Sequence, residues 1–214
     1  MEFLRLNKLN PSFISDTDKS VSEIWFRDIT FEKGKKYLVS ASSGEGKSSL
    51  LSYIFGERND FSGEIYFDEL EIGSIKKQMW QDIRKNHLSF VFQGLRLFSD
   101  LTALENIQLK NSITNSKSID EILYLIEKVG LADKINEPVS RLSFGQQQRI
   151  AVIRAICQPF DFILLDEPFS HLDEKNIKVL CELISSELNQ KNAGMILCSL
   201  GYEYPFEYNF KYNI

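Results

Sequence analysis

Apolar and polar residues alternate over residues 2–9, 22–31 and 35–41. A strand buries every second side chain, so this period predicts three strands. The third, Lys35-Lys36-Tyr37-Leu38-Val39-Ser40-Ala41, runs into a glycine-bearing loop. A helix is expected next, from Gly46 to about Phe55 and stopped by Gly56. Gly63 to Asp68 alternates again, and Leu88 to Gln93 reads as a short apolar strand. The pattern then changes period. From Thr102 to Ile156 it is helical, with capping-box starts at Thr102/Glu105, Ser118/Glu121 and Ser143/Gln146. Ile119, Ile122, Leu123, Ile126 and Val129 are expected on one apolar face. Strands return at 161–166 and 194–199, separated by a helix from Glu174 to about Asn189. The simplest architecture is one α/β domain over 1–214. Its core covers about 1–93 and 157–214, interrupted by a helical lobe over about 94–156.

The sharpest chemistry is Gly44-Glu45-Gly46-Lys47-Ser48-Ser49, set between an expected strand and an expected helix. A phosphate-binding loop needs glycines so that successive N–H groups can turn inward around phosphates. It needs a lysine for the β- and γ-phosphates and a hydroxyl for Mg²⁺. The helix it opens favours anions at its N-terminus. Ser42, Ser43, Gly44, Glu45, Gly46, Lys47, Ser48 and Ser49 are the nucleotide-binding candidates. Ala41 stands where the pattern usually has its first glycine. The bland alternative is a Gly/Ser surface turn. Downstream, Phe162-Ile163-Leu164-Leu165 emerges into Asp166 and Glu167. In a nucleotide site Asp166 would belong to the Mg²⁺ shell and Glu167 would polarise the attacking water. Alone, a strand end with solvated acids is a common pattern. Behind a phosphate loop it carries more weight.

Composition narrows the class. The chain has 214 residues, 43% hydrophobic and 26% charged, enough for a substantial core. No apolar run approaches the roughly 20 residues of a membrane helix. Met1 leads straight into the first alternating segment, so no secretory leader is expected. Cys157, Cys181 and Cys198 are scattered without metal-ligand spacing and read as small apolar residues. A net charge of −5 argues against nucleic acid as the partner. Membrane attachment would have to come through another protein.

Leu142-Ser143-Phe144-Gly145-Gln146-Gln147-Gln148-Arg149, with Ile150-Ala151-Val152-Ile153-Arg154-Ala155 behind it, resembles the LSGGQ signature helix of ABC ATPases. Phe144 replaces the first of the two adjacent glycines. Gln93 stands where the family carries its Q-loop glutamine, and Ser170-His171-Leu172-Asp173 where it carries its D-loop. Phosphate loop, glutamine, signature, acidic strand and D-loop follow in family order over most of the chain. The resemblance implies a P-loop NTPase fold: a RecA-like core with an antiparallel β subdomain and an inserted helical signature subdomain. It implies ATP and Mg²⁺, with Glu167, Gln93 and Lys47 catalytic and Ser48, Gln93 and Asp166 at the metal. It also implies a head-to-tail homodimer in which Ser143, Gly145 and Gln146 reach the other copy's nucleotide. An integral-membrane permease subunit would hold the dimer on the cytoplasmic, inner face of the membrane. The stretch from Ser62 through Leu109 is similar to the branch of lipoprotein-release, cell-division and macrolide-export ATPases.

The chain also departs from that family. ABC ATPases place a γ-phosphate-contacting histidine after the last core strand, where this chain has Leu200, or Ser199 by counting from Glu167. Leucine cannot donate a hydrogen bond to phosphate. His171, in the D-loop, is a candidate to reach the opposite site of the dimer, and a solvent-facing loop histidine is its bland and favoured reading. His87 has no assigned role. Phe13 is the best candidate to stack on adenine, with Trp25 and Phe26 as alternatives. Two rival functions remain. One is an ATP-gated binding switch, which the missing histidine favours and Glu167 opposes. The other is a soluble ABC-type ATPase acting on nucleic acid or ribosomes. The acidic charge and the lack of tandem sites or long coiled-coil insertions oppose it.

Overall fold

The computed structural model describes residues 1–13, 22–42, 44 and 46–214. Its strands divide between two sheets. β1 (Phe3–Pro11), β2 (Asp28–Glu32), β4 (Phe61–Phe67) and β5 (Leu70–Glu71) form an antiparallel sheet in the order β2-β1-β4-β5. β3 (Lys36–Ser40), β6 (Leu88–Val91), β7 (Phe162–Asp166), β8 (Gly194–Ser199) and β9 (Phe210–Asn213) form a parallel sheet in the order β6-β7-β8-β3-β9. Every residue of β6, β7 and β8 is buried, as expected of parallel strands covered on both faces. The period of two then sorts each strand between two cores. Ile163, Leu165, Met195 and Leu197 join the core beneath the helices of the lobe. Phe162, Leu164, Ile196 and Cys198 join the core shared with the antiparallel sheet. All three cysteines are free and buried, and burial pushes the Cys157 and Cys181 thiols up to about 12.

Six helices complete the described fold: α1 (Lys47–Ile54), α2 (Lys77–Asn86), α3 (Ala103–Thr114), α4 (Ile119–Lys128), α5 (Phe144–Ile156) and α6 (Glu174–Lys191). The three capping boxes form at α3, α4 and α5, with reciprocal bonds between hydroxyl, backbone and Glu105, Glu121 or Gln146. None of the described helices is long and apolar enough to cross a membrane.

Four expectations change. The strand expected over 22–31 is only Asp28–Glu32. Ahead of it the Ser22 hydroxyl accepts from the N–H groups of Ile24 and Trp25, at 3.1 and 2.8 Å. This turn buries the adjacent Ile24 and Trp25 together, which the alternation of a strand does not do. The strand expected to reach Gln93 ends at Val91, and Gln93 lies in the following turn. On α4 the buried stripe is Ile122, Leu125 and Ile126, continued by Val129. Ile119 and Leu123 are 46% and 39% exposed, because Ile119 is the first helical residue and Leu123 sits a full residue step off the stripe. Finally, α2 and β9 were not anticipated.

α2 fully buries only Ile83, and its apolar stripe is the short set Met79, Trp80 and Ile83 in an otherwise polar segment. It docks instead through Trp80 and Arg84 onto the end of α1. The Arg84 guanidinium donates to the carbonyls of Phe55 and Gly56 at 3.1 and 2.9 Å, satisfying groups that a helix C-terminus leaves open. Gly56 has φ +68°, and a Cβ there would overlap the Trp80 indole. Gly56→Ala is therefore expected to destabilise the fold by about 2–3 kcal/mol, of which about 1–2 reflects left-handed backbone. Removing the indole as well should recover the clash alone. Urea unfolding of Gly56→Ala, Trp80→Ala and the double variant should give a coupling of about 1 kcal/mol. Strictly additive losses would show that the indole is not the obstacle.

Candidate nucleotide-binding site

The parallel sheet delivers the key residues to one edge. β3, β7 and β8 run side by side, with Ser40 opposite Ser199 and Asp166 opposite Cys198, so their carboxyl ends coincide. Open α/β sheets bind ligands in the crevice outside those ends. β3 leads into the phosphate loop, and β7 ends on the two acids.

Gly44 and Gly46 take φ values of +89° and +104°, the left-handed backbone that the loop needs and glycine supplies. Gly46 is also constrained from outside. A Cβ there would lie 3.0 Å from Phe13 and 3.1 Å from Trp25. Gly46 is the N-cap of α1 and offers no side-chain cap, which leaves the first-turn N–H groups open to an anion. Lys47 is only 5% exposed. Its ammonium donates to the carbonyls of Ala41 and Ser42, at 2.9 and 2.8 Å, and stands 3.7 Å from Glu167 Oε1. The loop uses Ala41 through its carbonyl, so its methyl group does not interfere with that contact.

Asp166 is buried, and its Oδ1 has no hydrogen-bond partner among the described residues. Burial raises its carboxyl above the ordinary range. The Ser48 hydroxyl opposes this, the Glu167 charge adds to it and Lys47 opposes it. Buried polar atoms are rarely left without partners, so an orphaned carboxylate oxygen beside a serine hydroxyl fits a hard cation. Ser48, Gln93 and Asp166 provide oxygen donors of that kind. Glu167 has φ +47°, a strained position for a residue with a Cβ, fixed by its N–H donating to the Cys198 carbonyl at 3.1 Å. This backbone turn separates the directions of the two acids.

A cavity of about 400 Å³ lies over these groups. Phe13, Lys47, Ser48, Gln93 and Glu167 line it, together with Gly44, Gly46 and Ser49. Ser43 and Glu45 lie outside the described residues. Ser42 contributes its carbonyl to Lys47. Phe13 is 45% exposed, whereas Trp25 is 1% exposed and packs edge-on to Tyr53, closed to a ligand. Arg58 also lines the cavity and was missed in the sequence. It sits in an irregular loop after α1, where residue type alone carried no signal.

Ser143, Gly145 and Gln146 are not brought to this cavity within one chain. Ser143 caps α5, and Gln146 returns its amide oxygen to the Ser143 N–H at 2.8 Å. Gly145 has a local reason to be glycine, since a Cβ would lie 2.9 Å from the His171 carbonyl oxygen. The D-loop is also bound to α5 through Gln148, which donates to Ser170 at 3.1 Å and accepts from the His171 N–H at 3.2 Å. The His171 ring packs edge-on to Phe144 with centroids 4.6 Å apart, and its Nδ1 lies 2.9 Å from Ser170 Oγ. Leu200 is 45% exposed and off the cavity, and the buried Ser199 hydroxyl donates to the Tyr202 carbonyl at 2.8 Å. His87 pairs with Asp161 at 2.6 Å, away from these groups.

The ABC transporter family profile matches residues 27–170. The chain is 36% identical over 176 residues to the lipoprotein-releasing system ATP-binding protein LolD of Buchnera aphidicola subsp. Schizaphis graminum, covering 80% of this chain and 73% of that protein. It is 33% identical over 201 residues to the LolD protein of Treponema denticola, covering 92% and 88% of the two chains. Among solved structures, a dimeric bacterial ABC transporter cassette, MJ0796, superposes with a TM-score of 0.78 at 24% identity, over 92% of this chain and 88% of that one. The same cassette in a post-hydrolysis state bound to ADP and Pi gives 0.77 at 25% identity, over 92% and 87%. With the phosphate loop, the acidic strand end and the signature helix arranged as described, the chain belongs to the ABC transporter family, as one of its ATP-binding ATPase cassettes.

Proposed function

We propose that this chain hydrolyses ATP as a head-to-tail homodimer and drives a separate integral-membrane permease from the inner face of the membrane. The observation that carries the reading is the meeting of Lys47, Ser48, Asp166 and Glu167 at the carboxyl ends of β3 and β7. Lys47 would leave the Ala41 and Ser42 carbonyls for the β- and γ-phosphates. Ser48, Gln93 and Asp166 would hold Mg²⁺, which would supply positive charge against the negative charge developing on the phosphates. Glu167 would accept a proton from the attacking water, which Gln93 helps to place. Phe13 would stack on the adenine.

The dimer follows from what one chain lacks. Ser143, Gly145 and Gln146 sit at the start of α5, away from the cavity of their own chain, and a second copy could bring them to the nucleotide. The similar cassette is dimeric. Support for a permease comes from relatives named for a lipoprotein-releasing system. On this reading, ATP closes the dimer, product loss opens it, and the lobe with the Gln93 turn passes the motion to the permease. The exposed Leu200 favours a second reading, an ATP-gated binding switch with little hydrolysis.

Three substitutions test these readings. Lys47→Ala should abolish MgATP binding in calorimetric titration, and unchanged affinity would remove the loop from the site. Glu167→Gln should bind MgATP yet stop turnover, and light scattering should then show an accumulated dimer. A variant that stays monomeric would count against an ATP-driven sandwich formed by this chain alone. Wild-type turnover should be slow but measurable, because one preorganised donor is typically worth about 10²–10³ in rate. Leu200→His should raise kcat about tenfold, part of that range. Brisk wild-type hydrolysis indifferent to Leu200→His would mean that another group already fills the role. Wild-type turnover no faster than that of Glu167→Gln would favour the binding switch.

A further inference from the structure

Among the described residues, Arg58 is, with Lys47, one of two cations lining the cavity, and nothing above gives it a role. Its Nη1 donates to Ser49 Oγ at 2.7 Å, in the first turn of α1. Its Nε donates to Asp60 Oδ1 at 2.9 Å, and its Nη2 pairs with the other oxygen of the same carboxylate. The guanidinium carbon lies 5.8 Å from the centroid of Phe13 and 5.3 Å from that of Tyr53. The Asp60 carbonyl accepts from the Ser12 N–H at 3.0 Å, next to Phe13 in the chain. One side chain thus links the phosphate-loop helix, the loop after it and the turn that presents Phe13.

Donor accounting shows what remains. A guanidinium has five N–H groups, and three are used by Ser49 and Asp60. The other two have no partner among the described residues, while the side chain is 42% exposed and borders the cavity. A built, oriented fork with free donors suits an anion better than a merely structural contact does. Its position selects which anion. Lys47 and Glu167 mark the end of the cavity for terminal phosphates, and Phe13 marks the end for the base. Between those two ends a nucleotide carries its α-phosphate.

We infer that Arg58 is a nucleotide-binding residue that donates to the α-phosphate and holds Phe13 in place for the base. The inference rests on the nucleotide-site reading above. Asp60 fixes the plane of the fork and also damps its charge, so the effect is moderate rather than absolute.

The test is calorimetric titration of the full chain, with Mg²⁺, using ATP and both diastereomers of ATP bearing sulfur at the α-phosphate. Wild type should bind one diastereomer several-fold more weakly than ATP. Arg58→Met, which keeps the stem and loses the donors, should bind ATP about tenfold more weakly and lose that sulfur penalty. Arg58→Lys keeps charge without the fork and should lie between the two, which covers the case in which the methionine variant fails to fold. Unchanged ATP affinity in Arg58→Met, with Lys47→Ala unable to bind, would overturn the role of Arg58 and leave the site intact. So would weaker ATP binding with the sulfur penalty retained, since Arg58 would then act through packing alone. Unchanged ATP binding in Lys47→Ala would overturn the nucleotide site itself.

Discussion

An unpaired ammonium buried as deeply as that of Lys47, 5% exposed, would be destabilising by several kcal/mol. The surrounding backbone is arranged to prevent that. Two consecutive carbonyls, Ala41 and Ser42, turn onto the charge, and Glu167 approaches from the neighbouring strand. Carbonyls can turn inward only if the chain reverses sharply, which explains the left-handed Gly44 and Gly46. Glu167 can approach only if β7 ends where it does and its last turn takes a strained left-handed residue. The register of the parallel sheet therefore sets the charge balance of the site. A slip of one residue in β7 would exchange Asp166 and Glu167 between the faces of the strand.

The same economy joins this site to the helices of the lobe. Glu57, just beyond α1, pairs with Arg96, whose guanidinium carbon lies 3.7 Å from the centroid of the Phe92 ring. Leu95 and Arg96 both have positive φ, two strained residues in succession directly after the Gln93 turn. They are held by Arg154 of α5, which donates to the carbonyls of Leu95 and Arg96 at 2.6 and 2.7 Å. Burial pulls the Arg154 pKa down to about 10, well above any cellular pH, so the clamp stays charged. At the other end of α5, Gly145 packs under the D-loop backbone and Gln148 bonds it. One helix thus touches the segment after Gln93 and the segment after Glu167. A shift of α5 must move both.

Much of this was legible in the sequence for a physical reason. Buried parallel strands read as apolar runs, and capping boxes are local chemistry, so β3, β6, β7 and β8 could be located from the runs at 35–41, 88–93, 161–166 and 194–199, and the three capped helices from Thr102, Ser118 and Ser143. The fold class and family followed from the order of motifs. What was illegible depended on long-range packing. α2 is held by Trp80 and Arg84 against the end of α1, and its helical stripe is only Met79, Trp80 and Ile83 in an otherwise polar segment, so the period is short and easily passed over. β9 did leave a signal, an aromatic at every second position from Tyr202 to Tyr212, and four of these rings line up against Tyr37 and Phe169. Arg58 gave none, because its place at the cavity depends on where the chain returns between α1 and β4. The residue-level reading of Gly145 was incomplete for the same cause: its tightest neighbour is the D-loop of its own chain.

The contact between Lys47 and Glu167 gives the proposed mechanism an internal order. In this structure the Lys47 ammonium and the Glu167 carboxylate stand 3.7 Å apart, so each is engaged by the other. Asp166 lies beside them, so around Lys47 the site brings two carboxyl groups to one ammonium. A bare triphosphate would meet that excess of negative charge. One that arrives with a divalent cation would not, and the unpartnered Asp166 oxygen is placed for such a cation. On the proposed reading, once phosphate oxygens replaced Glu167 as the partner of Lys47, the carboxylate would be free to take a proton from water. The ion pair that neutralises the buried lysine would thereby also hold Glu167 until phosphate oxygens take its place. This order does not depend on an imidazole after β8. The absence of one at Leu200 would then affect how well the γ-phosphate is held, rather than whether Glu167 can act.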